Sequence, residues 1–81
     1  MYYCYIIYSA SKDKYYVGST SNLEDRINKH NSNHKGFTGN QLDWQLKWSQ
    51  ALDQKKDAMA REKQIKAWKS RKMIEKLIRE D

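Results

Sequence analysis

The sequence has one cysteine, three glycines and no proline among its 81 residues. A single cysteine, Cys4, excludes an internal disulfide and a zinc site built from cysteines, and it is typical of a reducing compartment. No apolar run approaches the roughly 20 residues of a membrane-spanning helix, and none resembles a signal-peptide core. We therefore expect a soluble, cytoplasmic protein without a membrane partner, folded as one domain over residues 1–81.

Basic residues outnumber acidic ones, and the excess is concentrated in the last third of the chain. The net charge is +6, and residues 55–81 hold ten of the 16 Lys and Arg but only five of the 10 Asp and Glu. This pattern fits a solvated helical face or a surface that binds nucleic acid by neutralising phosphates. The candidate nucleic-acid-binding residues are Lys14, Lys35, Lys63, Lys66, Lys69, Arg71 and Lys72.

Two short runs rich in tyrosine and branched residues predict a β-hairpin at the start of the chain. They are Tyr2–Tyr8 and Lys14–Ser19, separated by five residues with turn chemistry. Side chains alternate between the two faces of a strand, so we expect the hairpin to bring Tyr5 near Tyr16. Gly18 marks a point where the backbone can turn or approach a ligand closely.

A helix is predicted directly after the hairpin. Ser21 is followed three positions later by Glu24, which is the capping-box pattern, and the helix extends over residues 22 to about 31. Arg26 and His30 lie one turn apart along the edge of its apolar stripe. Taken singly, Arg26 fits a surface ion pair and His30 fits a helix C-terminus. Together, beside the tyrosine hairpin, they become candidate site residues.

The second half of the chain predicts a third strand and two more helices. Residues 44–52 alternate in the manner of a strand, although a short helix also fits. A helix is predicted over residues 54–68, which contain good helix formers and no Gly or Pro. Glu62 falls within its apolar stripe, so its carboxylate should be paired, protonated or bound to a cation, and an ion pair with Lys66 is the simplest of these.

These elements predict a mixed α/β fold, a small three-stranded antiparallel sheet flanked by helices. A polar loop is expected over residues 32–40, and a last helix begins near residue 70. The residues expected to form the buried stripes of the two C-terminal helices are Ala58, Ile65 and Trp68, and then Met73, Ile74, Leu77 and Ile78.

The order of the candidate residues resembles the GIY-YIG nuclease family. Tyr3-Cys4-Tyr5 stands at the first motif and Tyr16-Val17-Gly18 at the second, with the two motif tyrosines eleven residues apart. By the same resemblance, the helix arginine of the family falls on Arg26, its histidine on His30 and its metal-binding glutamate on Glu62.

The resemblance covers nearly the whole chain, from Tyr2 to about Leu77. The segment Arg61-Glu-Lys-Gln-Ile-Lys66, followed by Trp68, looks like the small single-domain bacterial branch related to the excision-repair incision subunit. The resemblance implies a metal-dependent DNA endonuclease, in DNA repair or recombination, that uses Mg²⁺ or Mn²⁺. A chain this short is also expected to rely on shape recognition or on a partner protein for targeting.

Within that resemblance each candidate has an expected role. Tyr5 is the general base, Tyr16 orients water or phosphate, and His30 accepts or relays the tyrosine proton. Arg26 binds phosphate oxygens through its planar donor fork, and Glu62 holds the metal ion. The pKa of a free phenol is about 10, so the base needs positive charge nearby, from the metal, Arg26 or Lys14.

Two positions depart from the family pattern and support other functions. Tyr3 and Cys4 replace the Gly and Ile of the first motif, and no asparagine follows Asn40, where many family nucleases have one late in the domain. One alternative is a module that binds DNA or recognises its structure without cutting it. A third interpretation is a basic module that binds an acidic protein.

Overall fold

The computed structural model describes residues 1–31 and 43–80, which form one antiparallel sheet and three helices. The predicted polar loop over residues 32–40, and Lys35 within it, lie outside the described residues. No helix in the described ranges is long and apolar enough to cross a membrane. In chain order the elements are β1 (Tyr2–Ser9), β2 (Lys14–Thr20), α1 (Leu23–His30), β3 (Trp44–Leu52), α2 (Lys55–Trp68) and α3 (Arg71–Glu80).

The first strand lies at the centre of the sheet. The strand order is β2-β1-β3 with antiparallel pairing on both sides. This confirms the hairpin and the third strand, and the alternative of a short helix over residues 44–52 is wrong. The four consecutive residues from Cys4 to Ile7 are each no more than 1% exposed. A strand that is apolar on both faces is stable only where both faces are covered, so β1 takes the central position.

The main core lies on the sheet face that packs against α2. Its buried members are Cys4, Ile6, Val17, Trp48 and Ile65, and the partly buried side chains against it are Tyr15, Leu52, Trp68, Ile74, Leu77 and Ile78. The predicted stripes of α2 and α3 are thus largely confirmed. Ala58 is also fully buried, and Met73 is the exception, since it remains 45% exposed.

Helix α1 begins one residue later than the capping-box pattern predicts. Asn22 is the N-cap, and its side-chain oxygen accepts a hydrogen bond from the Asp25 amide at 3.0 Å. The Thr20 hydroxyl accepts a hydrogen bond from the Asn22 amide at 3.1 Å and so fixes Asn22 in place. The prediction of Ser21 as the cap is wrong because asparagine caps a helix as well as serine does, and a local hydroxyl–backbone turn selects the register.

Candidate active site

Tyr5 lies across the second strand because its cross-strand neighbour has no side chain. In the register of β1 and β2, Tyr5 pairs with Gly18 and Ile7 pairs with Tyr16. A Cβ placed on Gly18 would lie 2.5 Å from the Tyr5 hydroxyl oxygen and 2.7 Å from Cζ. The ring centroids of Tyr5 and Tyr16 are 6.3 Å apart. The expected proximity of the two tyrosines is therefore present. The lack of a side chain at Gly18 leaves the space that the Tyr5 hydroxyl occupies.

Gly18→Ala is expected to destabilise the fold by about 1–3 kcal/mol, the usual cost of overpacking a filled site. The added methyl group meets a buried ring and not the end of a flexible chain. Urea unfolding of Gly18→Ala, Tyr5→Phe and the double variant measures the coupling. Since Tyr5→Phe removes the closest atom, the double variant should lose less stability than the sum of the two single losses. Strict additivity would show that Gly18 is not needed for the position of the phenol.

His30 at the end of α1 joins the two tyrosines. Its Nε2 lies 3.4 Å from the Tyr5 hydroxyl, and its ring centroid lies 4.8 Å from that of Tyr16. Burial, and then the positive charge of Arg26, lower the pKa of His30 below 6.5. The imidazole is therefore neutral at pH 7 and can accept a proton from the phenol.

Trp44 completes this aromatic cluster, and the sequence does not single it out as a site residue. Its ring centroid is 5.9 Å from that of His30 and 6.4 Å from that of Tyr16. Asn31 holds it in place, since its side-chain amide donates to the Trp44 carbonyl at 3.0 Å and accepts from the Trp44 amide at 2.9 Å. This contact joins residues far apart in the chain, so only the three-dimensional arrangement identifies it.

The environment of Tyr5 keeps its hydroxyl protonated. Burial, followed by the nearby Tyr16 phenol, raises the pKa of Tyr5 to about 12, while Arg26 acts in the opposite direction. As expected, the positive charge of Arg26 lowers the pKa of Tyr5, but burial raises this pKa by more. Lys14 is exposed at the far end of β2, beside Asp13 and Arg71, and is not among the groups that shift this pKa.

Glu62 on α2 reaches the outer edge of β2 from the opposite sheet face. Its Oε1 accepts a hydrogen bond from the Ser19 hydroxyl at 2.7 Å, and its Oε2 accepts one from Lys66 Nζ at 2.6 Å. Lys66 Nζ also lies 5.8 Å from the Tyr16 ring centroid, and the hydrogen bond from Glu62 raises the pKa of Lys66. The predicted ion pair with Lys66 is therefore present, and it lies beside the tyrosine cluster. Ser19 has no sequence signal that would assign it this role.

Arg26 lies at the end of β2 in a polar cleft of about 260 Å³. In the described parts of the chain, its guanidinium forms no side-chain hydrogen bond or ion pair. Its charge nonetheless acts on both neighbours: it lowers the pKa of His30 and partly offsets the rise in the pKa of Tyr5. The candidate residues Tyr5, Tyr16, His30 and Arg26 thus share one region of the molecule. The cleft is lined by Tyr2, Ser19, Thr20, Ser21, Arg26 and Lys55.

Residues 1–76 match the family model of the GIY-YIG catalytic domain. The chain belongs to the GIY-YIG family. GIY-YIG domains are nuclease domains that act on DNA, and the matched range includes every described strand, α1, α2 and the first half of α3. Searches of curated proteins and of solved structures gave no significant match.

Among the residues that the structure describes, one carboxylate stands at the GIY-YIG site, and no cluster of three or more His, Cys, Asp or Glu is present. That donor set does not suit zinc, which proteins hold through three or four His, Cys, Asp or Glu side chains. It does suit Mg²⁺, which keeps several waters and is bound through one or two carboxylates. Glu62 fits this group, provided that Lys66 releases one carboxylate oxygen.

The predicted phosphate-binding residues fall into two groups in this GIY-YIG domain. Lys14, Lys69 and Arg71 line a second cleft beside the hairpin turn. Arg71 there is tied to Asp13 at 2.6 Å and to Glu75 at 3.1 Å. The second group lies along the helices: Lys63 is exposed beside Glu62, Lys66 is paired with it, and Lys72 is exposed on α3.

Proposed function

We propose that the chain is a metal-dependent DNA endonuclease that hydrolyses phosphodiester bonds at the edge of β2. The observation that carries the proposal is the contact of the Tyr5 hydroxyl with neutral His30, with Tyr16 beside both and Arg26 close enough to act on them. The segment Arg61–Lys66 supports a place in the small single-domain branch related to the excision-repair incision subunit, and with it a role in DNA repair or recombination. A partner protein would supply targeting.

With its high pKa, Tyr5 can act on water only if it passes its own proton to a second side chain. A neutral phenol is a poor base, but it can take a proton from water while giving its own proton to an acceptor. His30 Nε2 is that acceptor, because it lies 3.4 Å from the hydroxyl oxygen and is neutral at pH 7. The attacking water loses one proton to Tyr5, and His30 gains the proton that Tyr5 releases.

Arg26 and Glu62 are the residues that would stabilise the negative charge of the reacting phosphate. Arg26 donates to the phosphate oxygens through a planar fork, and its contribution grows as charge develops in the transition state. Glu62 would hold a Mg²⁺ or Mn²⁺ ion, which neutralises charge on the phosphate and on the leaving oxygen. Tyr16, 41% exposed beside His30, orients the water or the phosphate from the open side.

The proposal is tested by incubating the purified chain with supercoiled, single-stranded and branched DNA in Mg²⁺, Mn²⁺ or EDTA. We expect nicking in the presence of either ion and none in EDTA. Binding without cleavage on all three substrates would contradict an endonuclease function.

A second candidate, a DNA-binding module that does not cut, is favoured by one observation. Both carboxylate oxygens of Glu62 are already engaged, by Ser19 and by Lys66, so a metal ion must compete with an ion pair. The absence of an asparagine after Asn40 supports the same interpretation. The cleavage assay separates the two candidates.

The cleavage rate is expected to fall at acid pH as His30 takes up a proton and can no longer accept one. The transition should lie below pH 6.5, because the pKa of His30 is lowered in the fold. Folding stability should change in the same range: it is unaffected above pH 6.5 and decreases below, since the unfolded chain binds the proton first. NMR titration of His30, assigned with His30→Gln, measures the pKa. A value above 6.5 would contradict the neutral acceptor.

DNA affinity is expected to fall linearly with the logarithm of salt concentration. Four phosphate contacts from the basic C-terminal third give a slope of about −3.6, at about −0.9 per phosphate. Charge reversal at Lys63, Lys69 and Lys72 should weaken binding alike for every DNA sequence, because phosphate contacts carry no sequence information. Fluorescence anisotropy at several salt concentrations measures both effects. Unchanged affinity in the triple variant would show that this surface is only solvated.

A further inference from the structure

The polar cleft beside Arg26 holds a second cation that the reaction does not use. Lys55, the first residue of α2, lines it with Arg26, and no acidic side chain is among the lining residues. Within residues 1–31 and 43–80, neither cation forms a side-chain ion pair or hydrogen bond. Two unpaired cations in one concave site, with no carboxylate between them, favour a bound anion.

Hydroxyl groups add neutral donors to the same cleft. Ser21 is available because Asn22 caps α1 in its place, and the Ser21 hydroxyl has no partner in the described part of the chain. Thr20, by contrast, is held by Asn22, and Ser19 donates to Glu62. Hydroxyls and cations together are the usual donors to phosphate oxygens.

The size of the cleft suits one phosphate group. Its volume is about 260 Å³, whereas a water molecule occupies about 30 Å³ of the liquid. A phosphate and several waters therefore fit. Its wall is mostly polar, which also disfavours an apolar ligand.

We propose that Lys55, with Ser21 and Arg26, forms a subsite for a DNA phosphate that flanks the phosphate being hydrolysed. This inference rests on the proposed function for its substrate, and it adds Lys55 as a positioning residue. Arg26 contacts the reacting group and the subsite, so it lies between them. Lys55 holds the neighbouring phosphate and fixes the register of the strand along β2.

The position of the cleft along β2 supports this assignment. β2 has seven residues, so its ends are about 20 Å apart at about 3.4 Å per residue. The Lys14 cleft lies at one end of the strand and the Lys55 cleft at the other, with Tyr16 and Gly18 between them. A nucleic-acid strand that follows this edge meets positive charge on both sides of the tyrosines.

Lys56 provides a matched control, because it carries the same charge one residue later and does not line the cleft. DNA binding by wild type, Lys55→Ala and Lys56→Ala is measured by anisotropy in EDTA, so that the result does not depend on cleavage. Lys55→Ala should weaken binding about fivefold to tenfold and make the salt slope shallower by about 0.9. Lys56→Ala should leave both values near wild type. Equal effects of the two variants would overturn the subsite.

Inorganic phosphate tests the cleft without DNA. In ¹⁵N-labelled protein we expect the amide signals of residues 19–21 and 55 to shift on titration with phosphate. Lys55→Ala should abolish these shifts, and Lys56→Ala should retain them. Shifts that persist in Lys55→Ala, or that never occur in wild type, would overturn the subsite. If phosphate binds as described but DNA is never cut, the subsite stands and the endonuclease proposal fails.

Discussion

Replacing Tyr5 with phenylalanine is expected to lower single-turnover DNA cleavage by about 10²- to 10⁴-fold, the range of general acid–base catalysis. The change removes the one oxygen that lies 3.4 Å from His30 Nε2 and leaves the buried ring in place. The hydrogen bond from this hydroxyl to His30 is long, at 3.4 Å, so its removal should cost little stability. Thermal unfolding and DNA affinity should therefore remain close to wild type while the rate falls.

Tyr8→Phe is the matched control for this result. It removes a hydroxyl from the same strand, but that hydroxyl donates to Asp13 at the hairpin turn and not to His30. Tyr8→Phe should keep most of the cleavage activity. Equal losses in both variants would point to a general effect on the hairpin and not to a proton-transfer role for Tyr5.

Glu62→Gln is expected to lower cleavage by about 10²-fold or more, while DNA binding persists. Glutamine keeps the size of the side chain and can still accept from Ser19, but it removes the only carboxylate at the site in the described residues. The neutral amide oxygen that remains lacks the negative charge of the carboxylate through which Mg²⁺ is bound. DNA affinity should hold or rise, because Lys66 is released to meet phosphate.

Glu75→Gln is the control for Glu62→Gln. Both variants lose an ion pair within a helix, but only Glu62 is proposed to hold the metal ion. Glu75 pairs with Arg71 at i−4 spacing, at 3.1 Å, and accepts a hydrogen bond from the Tyr15 hydroxyl at 3.4 Å. It is not among the groups that shift the pKa of Tyr5. Partly exposed pairs of this kind contribute about 0–1 kcal/mol, so both variants should remain folded. Continued nicking by Glu62→Gln at the wild-type rate would show that Glu62 is merely the partner of Lys66.

Much of the fold can be predicted from local patterns in the sequence. The Tyr2–Tyr8 run is apolar on both faces, which predicts a central strand, and residues 54–68 have the length and composition of a helix. The start of α1 is the local error, because Ser21 and Asn22 are both good N-caps and the Thr20 hydroxyl decides between them. Exposure of Met73 depends on how α3 sits against the sheet, which its periodicity does not determine.

The candidate site is less predictable, because it depends on contacts between distant residues. Strand alternation brings Tyr5 near Tyr16, and helical spacing carries His30 to the same side. Trp44 joins the aromatic cluster because the Asn31 side chain hydrogen-bonds to its backbone. Ser19 contacts Glu62 only because α2 packs across β2. The raised pKa of Tyr5 follows from burial, which charge patterns alone do not reveal.

The most direct test of the account is plasmid nicking by wild type and Tyr5→Phe, purified alike and compared at saturating protein. Supercoiled DNA is incubated with each protein in Mg²⁺ and in EDTA, and the open-circular product is followed over time. The account predicts that wild type forms open-circular DNA in Mg²⁺ and not in EDTA, and that Tyr5→Phe in Mg²⁺ forms it at a rate at least about 10²-fold lower. Nicking by Tyr5→Phe at the wild-type rate, or nicking by wild type in EDTA, would contradict it.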